Sequence, residues 1–336
     1  MNNTSDKPIV WTIAGADCSG GAGIAADIKT LHLLGCEACH LITANTVQNS
    51  QALIAVNPIE VSVLAQQAHA LICDNMPNAI KVGLVANNEQ LQWLAKLLNE
   101  IKRDNPQLVV VLDPVGQASV GQVLSSVSTE QLKIILPLID VLTPNLMEAQ
   151  KITGLVSNNA RELAQGIISL GARQAIVKGG HAKGEQSMDY GMSAHDEFCL
   201  ASPRVSTDYS HGGGCSFASA LTAFLVHGYL FRDAFTLTKA YMQQGLCSQQ
   251  GKLGYYGAFE QLAWPKHAED FPTIVAPVIE KFGDDLAFAA MDIKRDGQQA
   301  LGLYPVVDSV DWLARLMPLG VNIIQLRLKN LSEQQL

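Results

Sequence analysis

Residues 1–262 predict an α/β fold with a largely parallel sheet. Short β-rich runs alternate with longer amphipathic stretches, and a glycine-rich loop follows the first run and opens the first helical stretch, as in a βαβ unit. The chain has 336 residues, 48% of them hydrophobic and 16% charged, which is ordinary globular composition and length for about two domains.

In chain order, strands are expected over 9–14, 40–46, 79–84, 108–113, 141–144 and 174–178. Helical periodicity covers 24–34, 61–73, 88–101 and 160–170. The polar stretch 184–204 reads as a hairpin or a pair of edge strands carrying little chemistry. From Ser206 a turn of small residues leads into apolar helices over 215–226 and 232–247. Beyond Trp264-Pro265 the periodicity becomes irregular, so a domain boundary is placed after 262 and 263–300 is read as a linker. Strand, helix and strand follow over 302–308, 311–319 and 322–327, which makes 301–336 a second unit one βαβ module long.

Lys and Arg total 23 against 31 Asp and Glu, a net charge of −8 with no run of like charge, which argues against nucleic acid and anionic membrane as partners. The N-terminus lacks a cationic segment followed by an apolar one, and no apolar stretch approaches the ~18 residues of a membrane span. A cytoplasmic location is expected. Seven scattered cysteines fit reduced thiols better than a disulfide framework. Cys36-Glu-Ala-Cys39-His40 matches a haem-attachment pattern, but it runs into an apolar strand and the chain shows no export signal.

Three places carry chemistry. Gly15-Ala-Asp-Cys-Ser-Gly-Gly-Ala-Gly23 lets backbone approach a ligand at a helix N-terminus, where N–H groups favour anions. It lacks both the P-loop lysine and the G-x-G-x-x-G spacing, and a plain structural turn stays open. Ser210-His-Gly-Gly-Gly-Cys215-Ser216 precedes the longest apolar helix. Gly212, Gly213 and Gly214 there would aim several N–H donors at a transferring phosphoryl group or an oxyanion. Cys215 would lie in the first helical turn, where the dipole favours thiolate, and His211 reads as a positioning hydrogen bonder more readily than as a base. The alternative is a flexible turn leading to a small buried cysteine. Thr143-Pro-Asn-Leu-Met-Glu148 sets Asn145 and Glu148 near one helical turn, hard oxygen ligands of the kind Mg²⁺ shares with nucleotide phosphates; a helix-start charge at Glu148 is the plainer reading.

These pieces occur in one order with others: Thr12-Ile-Ala-Gly-Ala-Asp-Cys-Ser-Gly-Gly-Ala-Gly-Ile-Ala-Ala-Asp27, Thr43-Ala-Asn-Thr-Val-Gln48, Lys81-Val-Gly83, Leu112-Asp-Pro-Val115, Thr143-Pro-Asn-Leu-Met-Glu-Ala149, Val177-Lys-Gly-Gly-His181 and His211-Gly-Gly-Gly-Cys215. Together, over about residues 8–262, the set resembles the hydroxymethylpyrimidine/phosphomethylpyrimidine kinases of thiamine biosynthesis. The resemblance implies a ribokinase-like three-layer α/β/α domain that uses ATP and Mg²⁺ to phosphorylate a small pyrimidine alcohol and then its monophosphate. It further implies Gly15, Asp27 and Gln48 around the aminopyrimidine ring, Asn145 and Glu148 at the Mg-nucleotide, Lys178 on the nucleotide side, and Gly212 to Cys215 as an anion hole with its base. A homo-oligomeric state is left open. Gly302-Leu-Tyr-Pro-Val-Val-Asp308 and Gln325-Leu-Arg-Leu-Lys329 look like the opening of a thiamine-phosphate synthase, a (β/α)₈ barrel, with Gln325, Arg327 and Lys329 at ligand positions.

The chain departs from the family pattern at Gly213, where Thr is usual, at Cys18, where Pro is commoner, and over Gly116-Gln-Ala-Ser-Val-Gly121. A lost hydroxyl and a lost cation leave two alternatives open: a catalytically weak pyrimidine-binding or regulatory module, and a related vitamin kinase acting on pyridoxal or pyridoxine.

Overall fold

The computed structural model describes residues 7–49, 51–116, 122–180, 184–248, 252–253, 256–275, 305–319 and 324–326. Two compact units result, Met1–Val278 and Ile279–Leu336.

Strands of the first unit alternate between two buried faces, so helices cover both. In β1 (Ile9–Ala16), Val10 joins one core while Trp11 and Ile13 join the other. Val111 is likewise opposed to Val110 and Leu112 in β5 (Val109–Leu112), and Ile176 to Ala175 and Val177 in β7 (Gln174–Val177). The Trp11 face is covered by α2 (Val61–Asp74), α3 (Asn88–Asp104), α4 (Thr129–Ile135), α5 (Leu146–Thr153) and α6 (Ala160–Ser169). The Val10 face is covered by α1 (Gly23–Leu33), α7 (Gly213–Val226) and α8 (Phe231–Cys247). Helix α3 shows why such segments are helical: Asn87 caps it by accepting the Gln90 amide, and Leu91, Leu94, Leu98 and Ile101 fall at helical spacing on its buried side.

The ten-stranded sheet runs β13 (Thr273–Val275), β9 (Glu197–Pro203), β8 (Gln186–Ser193), β7, β6 (Val141–Leu142), β5, β4 (Ala79–Val82), β1, β2 (Glu37–Gln48), β3 (Leu53–Pro58). It is parallel from β7 to β2 and antiparallel at both margins. From β1 the chain pairs β2 on one side and then returns to pair β4 on the other, so the strand order reverses at β1. A crevice forms beyond the carboxyl ends of strands at such a point, and the first glycine loop lies there. A separate small sheet joins β10 (Tyr209–His211), β11 (Lys252–Leu253) and β12 (Tyr256–Ala258) in the order β10-β12-β11.

This is the expected α/β fold, with differences where elements are short. Strand β3, helix α4 and strand β13 are additions to the expected elements; α4 and β13, of seven and three residues, are too short for a periodicity to emerge. The segment read as linker contributes β13, which pairs antiparallel with β9 through Ile274 and Leu200. The first unit therefore extends beyond 262. Among the described residues no helix is long and apolar enough to cross a membrane.

In the second unit, β14 (Val306–Val307) and β15 (Gln325–Leu326) pair in parallel, with α9 (Val310–Leu316) between them in the chain. Gln325 is exposed on β15, whereas Arg327 and Lys329 lie outside the described residues.

Candidate active site

The two glycine loops are joined by a buried carboxylate. Asp17, just after β1, accepts hydrogen bonds from the Ser19 amide (2.9 Å) and hydroxyl, the Ala22 amide (3.0 Å) and His211 Nε2 (2.8 Å). Burial works against its charge, but hydrogen bonding, above all from His211, outweighs it and holds the carboxyl well below the usual range. His211 is thus a positioning hydrogen bonder, as expected.

Gly212 is the N-cap of α7, with φ +80°, and a Cβ there would run into the Gly21 carbonyl. Only glycine fits. Gly213 and Gly214 have no such need: an added Cβ would lie 3.6 Å from Met242 Cε at the first, and 3.5 Å from Asp113 Oδ2 and 3.7 Å from Lys178 Nζ at the second. The helix starts at Gly213, no side chain caps it, and the amides of its first turn are left for a ligand.

Cys215 lies in that first turn. The expectation of a ready thiolate is corrected. Burial pushes the thiol up to about 11; Lys81 opposes that, while Asp27 and Asp113 reinforce it. Desolvation acts more strongly here than one helix terminus.

Asp27 is also corrected as a ring contact. It is fully buried, and its oxygens accept from Lys81 Nζ (2.8 Å to each), Thr12 Oγ1 (2.6 Å) and Ser219 Oγ (2.8 Å). Four hydrogen bonds from these three donors fill the carboxylate's acceptor sites, leaving none for a ligand. Burial opposes the charge of Lys81, but Asp27, Cys215 and Asp113 outweigh it and raise its pKa. The pair ties α1 and α7 to β1 and β4. Gly15 is likewise a packing position: its carbonyl lies where a Cβ of Gly23 would go, and its own Cβ would sit 2.6 Å from Leu84 Cδ2. Of the three expected ring residues, Gln48 alone lines the groove.

At the carboxyl ends of β5, β6 and β7 the nucleotide-side residues meet. Asn145 and Glu148 form a reciprocal cap on α5: Asn145 Oδ1 accepts the Glu148 amide and Glu148 Oε2 accepts the Asn145 amide, both at 2.9 Å. The helix-start reading of Glu148 is therefore correct, and one Glu148 oxygen remains outside the cap. Lys178 Nζ lies 2.8 Å from Asp113 Oδ1, which also accepts Thr143 Oγ1 at 3.2 Å. Burial lifts Glu148 to about 7, Lys178 lowers it and Asp113 adds to the rise. Burial lowers Lys178, yet Asp113 and Glu148 raise it above its ordinary value. Among the described residues no group of three or more His, Cys, Asp or Glu could hold a metal ion. A divalent cation here would draw on the Glu148 and Asp113 carboxylates together with phosphate oxygens, a donor set that fits Mg²⁺.

One groove of about 840 Å³ holds Gln48, Cys215, the three glycines, Asp113, Glu148 and Lys178. The 184–204 stretch, read as carrying little chemistry, also lines it: Asp189 on β8 pairs with Lys239 of α8 at 3.0 Å, and Arg204 binds the carbonyls of Gly180, Gly184 and Gln186. Asp113 and Asp17 were visible within quoted motifs but not singled out. Asp189 carries no local signal, because it sits in β8 amid a mixed polar and apolar run with no motif around it.

The phosphomethylpyrimidine kinase family matches residues 17–258. The chain belongs to the phosphomethylpyrimidine kinase family. A hydroxymethylpyrimidine/phosphomethylpyrimidine kinase of Haemophilus influenzae is 36% identical over 243 residues, spanning 69% of this chain and 88% of that protein. The thiamine biosynthesis bifunctional protein ThiED of Geobacter sulfurreducens is 35% identical over 241 residues, covering 69% of this chain but 48% of that one. Pyridoxal kinase from Staphylococcus aureus, solved with AMP-PCP and pyridoxal, superposes with a TM-score of 0.69 at 27% identity, over 80% of this chain and 99% of that chain. For this phosphomethylpyrimidine kinase family member, the matched region contains every groove residue discussed above, and residues 301–336 lie outside it.

Proposed function

We propose that this kinase transfers the γ-phosphoryl group of ATP to the hydroxymethyl oxygen of 4-amino-5-hydroxymethyl-2-methylpyrimidine, and then phosphorylates that monophosphate to the diphosphate in thiamine biosynthesis. The observation that carries the reading is the continuity of one groove from Gln48, past Cys215 and the open N-terminus of α7, to the Lys178, Asp113 and Glu148 cluster. Gln48 reads the aminopyrimidine edge. The amides of Gly213, Gly214 and Cys215 receive the charge of the passing phosphoryl group, and Lys178 holds phosphate oxygens. The acceptor oxygen bonds to the γ-phosphorus as the β,γ-bridging bond breaks and ADP leaves. Cys215, in its thiolate form, takes the hydroxyl proton and becomes the thiol. Glu148 would hold Mg²⁺, which neutralises phosphate charge when bound, together with Asp113; Asn145, expected as the second oxygen ligand, is corrected to a residue that orients Glu148, because its Oδ1 is taken by the Glu148 amide in the shared cap.

ADP release should depend on both Mg²⁺ and the pyrimidine. Binding of the pyrimidine without turnover would make the protein a binding module instead. The structural likeness to a pyridoxal kinase favours a second acceptor, so pyridoxal belongs in the same assay; a higher kcat/KM with it than with the pyrimidine would reverse the assignment.

For residues 301–336 we propose the opening of a synthase-like barrel, supported by the two motifs at 302–308 and 325–329, the parallel pair β14 and β15, and a bifunctional relative. A (β/α)₈ barrel closes only with eight strands. Removing residues 301–336 should therefore leave kinase turnover unchanged, because that cut spares β13. Kinase loss in the shortened chain would contradict this assignment.

A further inference from the structure

We propose that Asp189 is a positioning residue for phosphoryl transfer: by holding the Gly179 amide it sets where Lys178 presents its ammonium to the nucleotide phosphates. This rests on the kinase reading above. Lysine is a point charge on a flexible four-carbon stem, so its reach is defined only when the backbone that carries it is fixed. Lys178 is fixed on both sides. Its own amide donates to the Pro144 carbonyl at 2.8 Å, and the next amide, that of Gly179, donates to Asp189 Oδ1 at 2.8 Å. The ladder between β7 and β8 ends at Val177 and Tyr190, so beyond it the side chain of Asp189 takes over a buried N–H that would otherwise be unpaired. The Met188 carbonyl stands where a Cβ of Gly179 would go, which presses the turn against β8, and Arg204 donates to the Gly180 carbonyl from the end of β9.

Asp189 is itself held in place. Its Oδ2 lies 3.0 Å from Lys239 Nζ, and that ammonium also donates to the Ser187 carbonyl at 3.0 Å; both charged side chains are buried. Lys239 belongs to α8, and Phe235, one turn earlier on that helix, lies 3.0 Å from the place a Cβ of Gly191 would take, so α8 runs along β8 at both points. One Asp189 oxygen therefore serves the contact between helix and sheet, and the other serves the turn that carries Lys178.

Two near-isosteric variants read the two oxygens separately. In Asp189→Asn the amide oxygen turns to the charged Lys239, which leaves the side-chain NH₂ against the Gly179 N–H, donor against donor. Affinity for the Mg²⁺ complex of AMP-PCP, measured by calorimetry on the full chain, should fall at least tenfold, and kcat/KM for MgATP with it, while KM for the pyrimidine stays unchanged. Adding Lys239→Met removes the competing cation, so the Asn oxygen returns to Gly179 and most of the nucleotide affinity is recovered. A role in packing alone predicts the opposite, since a second buried substitution would deepen the loss. Unchanged nucleotide affinity in Asp189→Asn, or a further loss in the double variant, would overturn the proposal. Should Asp189→Asn fail to fold, Asp189→Leu with Lys239→Met supplies an uncharged pair of similar volume with no acceptor for Gly179. The same tenfold loss confined to the nucleotide is then expected, and equal losses on nucleotide and pyrimidine would overturn the proposal. A wild-type chain that binds no nucleotide would overturn the kinase reading itself, and this proposal with it.

Discussion

Cys215→Ala will slow phosphorylation of the alcohol by orders of magnitude and phosphorylation of the monophosphate far less. The alcohol keeps its proton at neutral pH, so a positioned base contributes roughly 10²–10⁴-fold. The monophosphate already carries about 1.5 to 2 negative charges and needs little deprotonation. Alanine preserves the first turn of α7 and its amides. The thiol's environment adds a pH signature. Burial holds Cys215 near 11, so its basic form grows about tenfold per pH unit below that value. The alcohol step should therefore climb with pH between about 6.5 and 8.5, while the monophosphate step levels off once the acceptor's second ionisation, near ~6, is complete. Each acceptor would be assayed alone at saturating MgATP. Equal losses on both, or a flat profile for the alcohol, would show that Cys215 serves only the shape of the anion hole.

The long elements and the loops at strand ends were legible because their signals are local. Period-2 and period-3.6 patterns mark β1, α3 and α8, and glycine runs mark the turns. What could not be read depends on residues brought together from far along the chain. Asp27 looks like a ligand residue because it sits in a family motif, yet Lys81, 54 positions later, and Ser219, 192 positions later, occupy its oxygens. The pKa of Cys215 is set in the same way. A helix terminus is visible in sequence, but the burial that opposes it comes from α1 and β4 packing over α7. Strand β13 was lost for another reason: three residues pairing with the sheet margin carry too short a pattern, and the irregular stretch around them resembles a connector.

The glycines of the second loop should separate sharply. Gly212→Ala puts a side chain at φ +80°, which costs roughly 1–2 kcal/mol, and drives its Cβ into the Gly21 carbonyl. The atom met is a backbone carbonyl, which cannot swing aside as a flexible side chain can, so the two loops must part. The N-terminus of α7 would move with Gly212, and a displacement near 1 Å at a reacting centre costs about 10²-fold in rate. Gly214→Ala meets only ordinary contacts and should retain both stability and most turnover. Gly214→Val fills the space in front of Asp113 and Lys178, where the phosphoryl group must pass. It should keep a near-native melting temperature while losing most of its kcat. Melting curves beside kcat for the three variants would check the scheme: Gly212→Ala should fall in both, Gly214→Val in kcat alone, and Gly214→Ala in neither. Near-normal turnover in Gly212→Ala would mean that the contact between the loops does not set the anion hole. Normal turnover in Gly214→Val would remove the phosphoryl path from the gap between Asp113 and Lys178.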